Sequence, residues 1–164
     1  MSKLQEAHKV QVGHPVPNFE GTDSHGKSIS SKSLLGQKYV LYFYAKDDTS
    51  LCTQQACGIR DSKEKFSKLG IQVFGVSPDD AASHAQFESK YKLNFSLLSD
   101  PHHKISEAFG AWEDKGHGSS PAANSIRATF IIDEKGIVRW AELPSEPNGH
   151  QERILKALQS LNYF

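Results

Sequence analysis

Cysteine is nearly absent from this chain: there are two among 164 residues, Cys52 and Cys57. A secreted scaffold stapled by disulfides carries more of them, spread along the chain. Staples are not required either, because a domain near this length hides about 68–70% of its unfolded surface on folding. Net charge is absent as well. Lys+Arg and Asp+Glu both number 19 and form no basic stripe, so nucleic acid is not expected as a partner. Long apolar runs are missing: stretches such as Tyr39 to Ala45 fall far short of the roughly 20 residues that cross a bilayer, so no membrane contact is expected. The opening residues, Met1 to Pro17, show neither an apolar h-region nor an Arg-rich amphipathic pattern. No signal or transit peptide is therefore expected, and the chain reads as cytoplasmic. What is present is ordinary globular composition, 37% hydrophobic with 12 Gly and 7 Pro, in one domain spanning 1–164.

Hydrophobic patterning organises the chain. Turn residues around Asp23–Lys27 separate short extended stretches and read as a hairpin. Lys38 to Ala45 is a continuous β-branched and aromatic run, the mark of a strand covered on both faces. Thr49 and Ser50 can cap a helix that meets no proline before Gly70. Its Cys52, Ala56, Ile59, Phe66 and Leu69 share a face, and Asp61, Lys63, Glu64, Lys65 and Lys68 form a solvated one. A second buried strand (71–77), a helix from Pro78-Asp79-Asp80 to about Leu93, a short strand (95–99) and a short helix (103–109) follow. Residues 111–127 lack periodicity and read as a long loop. A hairpin (128–143) and an amphipathic helix (about 149–161) end the chain, the helix with Ile154, Leu155, Leu158 and Leu161 as its stripe. Two successive strand–helix–strand crossovers imply parallel strands at the centre of a mixed α/β sheet flanked by helices. The helix from residue 51 starts at the carboxyl end of a central strand, where open α/β sheets bind ligands.

Cys52 falls in the first turn of that helix, among unpaired N–H groups and at the positive end of the helix dipole. Both favour the thiolate over the thiol. Cys57 lies a turn and a half further on and gains little of this, which makes Cys52 the attacking sulfur and Cys57 the resolving one. In a helix, five residues rise about 7.5 Å and turn about 140°, so the two Cα atoms lie roughly 8–9 Å apart, beyond the ~7 Å that a disulfide tolerates. Either the pair never bonds, or the first turns unwind when it does.

Tyr44 to Asp61, with Cys-x4-Cys followed by Gly58-Ile59-Arg60-Asp61, resembles the peroxiredoxins, and within them the peroxiredoxin Q or bacterioferritin comigratory protein branch. Val12 to Phe19, Gly75 to Asp79 and Arg127 to Asp133 also resemble that family, in the same order. The resemblance implies a thioredoxin-like fold with an N-terminal hairpin. It also implies a thiol-dependent peroxidase that reduces hydrogen peroxide and alkyl hydroperoxides. By position it makes Cys52 the peroxidatic cysteine, Cys57 the resolving cysteine, Thr49 a hydroxyl that bonds thiolate and peroxide, and Arg127 the guanidinium against the thiolate. It implies an intramolecular disulfide, recycling by thioredoxin or a similar dithiol, a monomer, and no metal or other cofactor. The chain departs from the family pattern at Ala45, where a proline is usual, and at Ser50-Leu51, where Pro-Gly is usual. The loop 111–127 also lacks the family's Tyr-Gly-Lys.

Two other readings stay open at this stage. One is a thiol–disulfide oxidoreductase, which the x4 spacing disfavours, because that chemistry uses Cys-x-x-Cys. The other is a redox-sensing or zinc-binding module in which the cysteines join two of the scattered histidines (8, 14, 25, 84, 102, 103, 117, 150). Among the four arginines, 60, 127, 139 and 153, Arg60 is expected in an ion pair rather than in catalysis. Trp112 and Trp140 are expected to pack.

Overall fold

The structure, a computed structural model, describes residues 10–162 apart from 115, 117 and 119; His8 and His117 lie outside the described residues. Strands β1 (Glu20–Asp23) and β2 (Ser28–Ser30) form the expected hairpin. The chain then runs through β3 (Lys38–Phe43), α1 (Ser50–Asp61), α2 (Lys63–Lys68), β4 (Ile71–Ser77), α3 (Ala81–Tyr91), β5 (Ser96–Ser99) and α4 (Lys104–Ala108). It ends with α5 (Pro121–Asn124), β6 (Ala128–Ile132), β7 (Val138–Glu142) and α6 (His150–Ser160). The sheet order is β2-β1-β5-β4-β3-β6-β7. β3, β4 and β5 run parallel at its centre, and β6 lies antiparallel against β3.

The two crossovers, β3–β4 and β4–β5, step the same way across the sheet. Right-handed connections that step the same way land on the same face. One layer therefore holds α1, α2, α3 and α6, packed through Ala56, Ile59, Phe66, Phe87 and Ile154 against Val40, Tyr42, Tyr44 and Ile131. Alternate residues of the same strands, Leu41, Phe43, Phe130 and Ile132, point the other way and meet Phe19, Ile105 and Phe109. This explains why β3 is buried along almost its whole length. β4 carries Gly75 between Tyr42 and Leu97. A Cβ there would lie 2.8 Å from Leu97 Cδ2 and 3.1 Å from the Tyr42 ring, so only glycine makes room for that ring beneath α1.

Two local expectations change. The helix expected from 51 to 69 is two helices, because Ser62, at φ −100° and ψ 7°, tightens onto the Ile59 carbonyl. The break re-aims the chain so that Phe66 still reaches the sheet, while the charged residues named above remain exposed. The segment 111–127 is not wholly irregular. Ser120 caps the short helix α5 by accepting from Ala123 N–H, and Trp112 bridges Ser125. Trp112 also stacks on His103 with ring centroids 4.0 Å apart.

Candidate active site

The turn 44–49 leaves the carboxyl end of β3 and starts α1. Thr49 takes the N-cap backbone position, and its carbonyl accepts the Thr53 N–H. Its side chain does not cap, which corrects the expectation: the hydroxyl donates to the Lys46 carbonyl at 2.8 Å. With its proton committed there, the exposed Thr49 oxygen presents lone pairs only. Ser50 is the first helical residue rather than a cap. Cys52 is the third, 1% exposed, at the end where helix N–H groups lack intrahelical partners.

Arg127 immediately precedes β6, and the register Tyr42↔Thr129 continues to place residue 127 on the face beneath α1. Its Nη1 donates to Cys52 Sγ at 3.2 Å and to Gln55 Oε1 at 2.7 Å. Cys52, seen in sequence as the attacker, and Arg127, the guanidinium against it, thus meet across 75 positions of chain. Gln55, 1% exposed, was not singled out by sequence reasoning. Its signal was available: residues three apart on a helix are surface neighbours, so Gln55 sits one turn beyond Cys52 and can orient whatever approaches the sulfur.

Cys57 lies in the same helix, half-buried, and both cysteines are free thiols. Tyr42 belongs to the apolar cluster that covers Cys52. Burial pushes its phenol well above the ordinary range, with the nearby Cys52, Asp47 and Cys57 adding to the rise, so it remains protonated. Arg60 pairs with Asp61 at 3.0 Å and donates to the Tyr91 carbonyl, as expected of a structural arginine.

Two buried histidines flank the site in opposite states. His84 lies with Nδ1 2.7 Å from Asp47 Oδ2 and Nε2 3.1 Å from the Leu98 carbonyl. Against a carboxylate and a carbonyl both ring nitrogens are donors, which is the imidazolium. Burial pulls its pKa down, but the hydrogen bond and charge of Asp47, with the Leu98 carbonyl, outweigh this and the net shift is upward. His150 bonds Thr129 through Nε2 at 2.7 Å, while Nδ1 has no partner. Burial is the main cause that lowers its pKa to about 4.

A group with a depressed histidine pKa withholds stability as acid charges the unfolded chain. The His150 contribution is therefore complete above about pH 6.5 and lost as pH falls toward about 4, on the order of 3 kcal/mol in all. His84 has the opposite sign: its contribution is complete below about pH 6.5 and lost as pH rises through its raised folded value. Urea unfolding at pH 7 and pH 4.5 should show His150→Gln losing less stability in acid than the parent chain. Equal acid losses would assign the effect to other groups.

Among the described residues, Asp47, Asp79 and His84 approach closely enough to share an ion. Their ligand atoms are already spent on one another, on Tyr44, Ser77 and Ser83, and on the Asp47 backbone N–H. No such group includes either cysteine among those residues, so the zinc-module reading finds no ligand set there.

Residues 12–141 match the AhpC/TSA family. The chain belongs to that family. It is a peroxiredoxin of the Q or Bcp type, a thiol-dependent peroxidase. The chain is 43% identical over 154 residues to the chloroplastic peroxiredoxin Q of Oryza sativa subsp. japonica, covering 93% of this chain and 69% of that one. It is 36% identical over 154 residues to peroxiredoxin Bcp of Bacillus subtilis, covering 93% and 95%. A solved structure of the Xanthomonas campestris bacterioferritin comigratory protein, described for its alkyl peroxide reduction activity, superposes with a TM-score of 0.82. That structure is 26% identical and covers 92% of this chain and 96% of that one. This peroxiredoxin therefore has the thioredoxin-like fold and requires a peroxide and a thiol reductant. Among its described residues no helix is long and apolar enough to cross a membrane.

Proposed function

We propose that Cys52 is the peroxidatic cysteine, that Cys57 resolves it within the same chain, and that hydrogen peroxide and alkyl hydroperoxides are the substrates. The observation that carries this is the Arg127 guanidinium 3.2 Å from a nearly buried thiol at a helix N-terminus. The Cys52 thiolate attacks the terminal peroxide oxygen. The sulfur pair forms the S–O bond, the O–O bond breaks, and its bonding pair ends on the leaving oxygen, which takes a proton and departs as water or an alcohol, leaving Cys52 as the sulfenic acid. Charge moves from sulfur toward that oxygen, so a fixed guanidinium and unpaired helix N–H groups stabilise the transition state more than the ground state. Thr49, with only lone pairs to offer, accepts the hydrogen bond of the hydroperoxide O–H. Gln55 holds Arg127 in line as a positioning residue.

The Cys57 thiolate then attacks the sulfenic sulfur. An S–S bond forms, S–O breaks, and hydroxide leaves as water. A dithiol such as thioredoxin restores both thiols by exchange. We assign the chain a single working domain, a monomeric state, since an internal disulfide needs no partner subunit, and a cytoplasmic place, where two unpaired thiols persist.

One equivalent of hydrogen peroxide added to the reduced chain should remove two hydrogens by mass and leave no free thiol. Retention of both thiols, or a disulfide between two chains, would overturn the assignment. Steady turnover with thioredoxin, its reductase and NADPH, set against insulin reduction, separates the peroxidase from a general thiol–disulfide oxidoreductase.

A further inference from the structure

Disulfide formation has to open the first turns of α1, because a regular helix holds Cys52 and Cys57 apart. What borders that segment is unusually well tied. Upstream, Asp47 is 8% exposed. Its carboxylate takes hydrogen bonds from Tyr44 OH at 2.5 Å, Ser83 Oγ at 2.8 Å and His84 Nδ1 at 2.7 Å. Its backbone N–H goes to Asp79 at 2.7 Å. The next residue, Asp48, turns the chain at φ 60° and is gripped by Lys90 Nζ and Tyr91 OH, each at 2.6 Å.

Downstream, Arg60 Nη1 donates to the Tyr91 carbonyl at 2.6 Å, and the Asn94 side chain donates to the Arg60 carbonyl at 3.2 Å. Ser83, His84, Lys90 and Tyr91 all belong to α3, and Asn94 follows it. Tyr91 holds both ends, one through its hydroxyl and one through its carbonyl. α3 is itself fixed independently of α1, by the buried Phe87, by His84 on the Leu98 carbonyl and by Glu88 on Ser24. By contrast, among the described residues the side-chain hydrogen bonds that leave segment 49–59 are those of Thr49 with the Lys46 carbonyl, of Cys52 and Gln55 with Arg127, and of Gln54 with Asn148.

We infer that α3 is a brace for the redox switch: Asp47, His84, Tyr91 and Arg60 are positioning residues that pin both ends of segment 49–59, so that the helix opens between fixed posts while the two sulfurs stay within reach. This rests on the reading that Cys52 and Cys57 pair within one chain. The four residues between the sulfurs keep the effective concentration of Cys57 at the sulfenic acid high, and pinned ends confine the opening to the segment that carries both.

The brace persists in both redox states, whereas contacts inside the segment exist only in the reduced one. Thermal unfolding of the reduced and peroxide-oxidised full chain separates these. His84→Gln and Arg60→Gln should lower Tm by a similar amount in both forms, about 2–4 °C or more each. Gln54→Gly, on the exposed face of α1, should lower it by about as much in the reduced form only, since glycine costs helix but not an opened loop. Hydrogen exchange should show protection lost on oxidation across 49–59 and unchanged in 44–48 and 81–91. Brace variants that lower Tm of the reduced form alone, or exchange that spreads into α3, would overturn the brace while leaving the disulfide standing. Should His84→Gln not fold, Arg60→Gln carries the comparison. Absence of the two-hydrogen mass loss in the parent chain would overturn the pairing and the brace with it.

Discussion

Replacing Arg127 with alanine is expected to slow oxidation of Cys52 by about 10²–10³-fold, the usual effect of losing one preorganised charge donor. The geometry supports the upper part of that range. Nη1 lies 3.2 Å from the sulfur and is held by Gln55 Oε1 at 2.7 Å, so the cation needs no reorganisation as charge moves. The fold should survive, because the Arg127 side chain is only half-buried and its structural bond, Ser145 N–H to the Arg127 carbonyl at 2.7 Å, uses the backbone. Arg127→Lys should recover little, since a flexible, strongly hydrated ammonium does not reproduce the planar guanidinium whose Nη1 meets both the sulfur and the amide oxygen. Single-turnover oxidation followed by thiol titration measures the step directly. A loss below about fivefold would place the decisive charge elsewhere.

The cysteine variants should differ in kind rather than degree. Cys52→Ser should consume no peroxide above background, because a neutral hydroxyl at that position is no substitute for a thiolate. Cys57→Ser should consume one equivalent at close to the parent rate and then stop, leaving a sulfenic acid that excess peroxide carries to sulfinic acid. Mass spectrometry reads the outcomes as no change, one added oxygen, and two added oxygens with excess oxidant. Repeated turnover by Cys57→Ser with thioredoxin as sole reductant would show that an external thiol resolves Cys52 directly, and that Cys57 is dispensable.

The layered sheet was legible because its signals are local: the buried run at β3, the crossovers, and the turn at Asp23–Lys27. The position of Cys52 was legible for the same reason, as a helix start followed by an apolar stripe. What escaped were pairings made at long range. Asp47 and His84 are 37 residues apart, and neither has a local pattern that distinguishes a buried ion pair from a turn aspartate and a helix histidine. Thr49 illustrates the reverse case. Its residue type and place both say N-cap, but the Lys46 carbonyl, brought within 2.8 Å by the preceding turn, competes successfully for its proton. The break at Ser62 was hidden because serine inside a helical pattern carries too weak a preference to announce one.

The opposed histidines make folding of this chain a proton-exchange reaction whose direction depends on the medium. Above about pH 6.5, up to the raised value of His84, the folding chain takes a proton up, because the cation beside Asp47 forms where the unfolded histidine is neutral. Between about 4 and 6.5 it gives one out, because His150 sheds the proton it carried when unfolded. For these two residues, uptake by His84 and release by His150 oppose one another near pH 6.5, where both rings are about half-protonated in the unfolded chain, so the net exchange there is smaller than either alone.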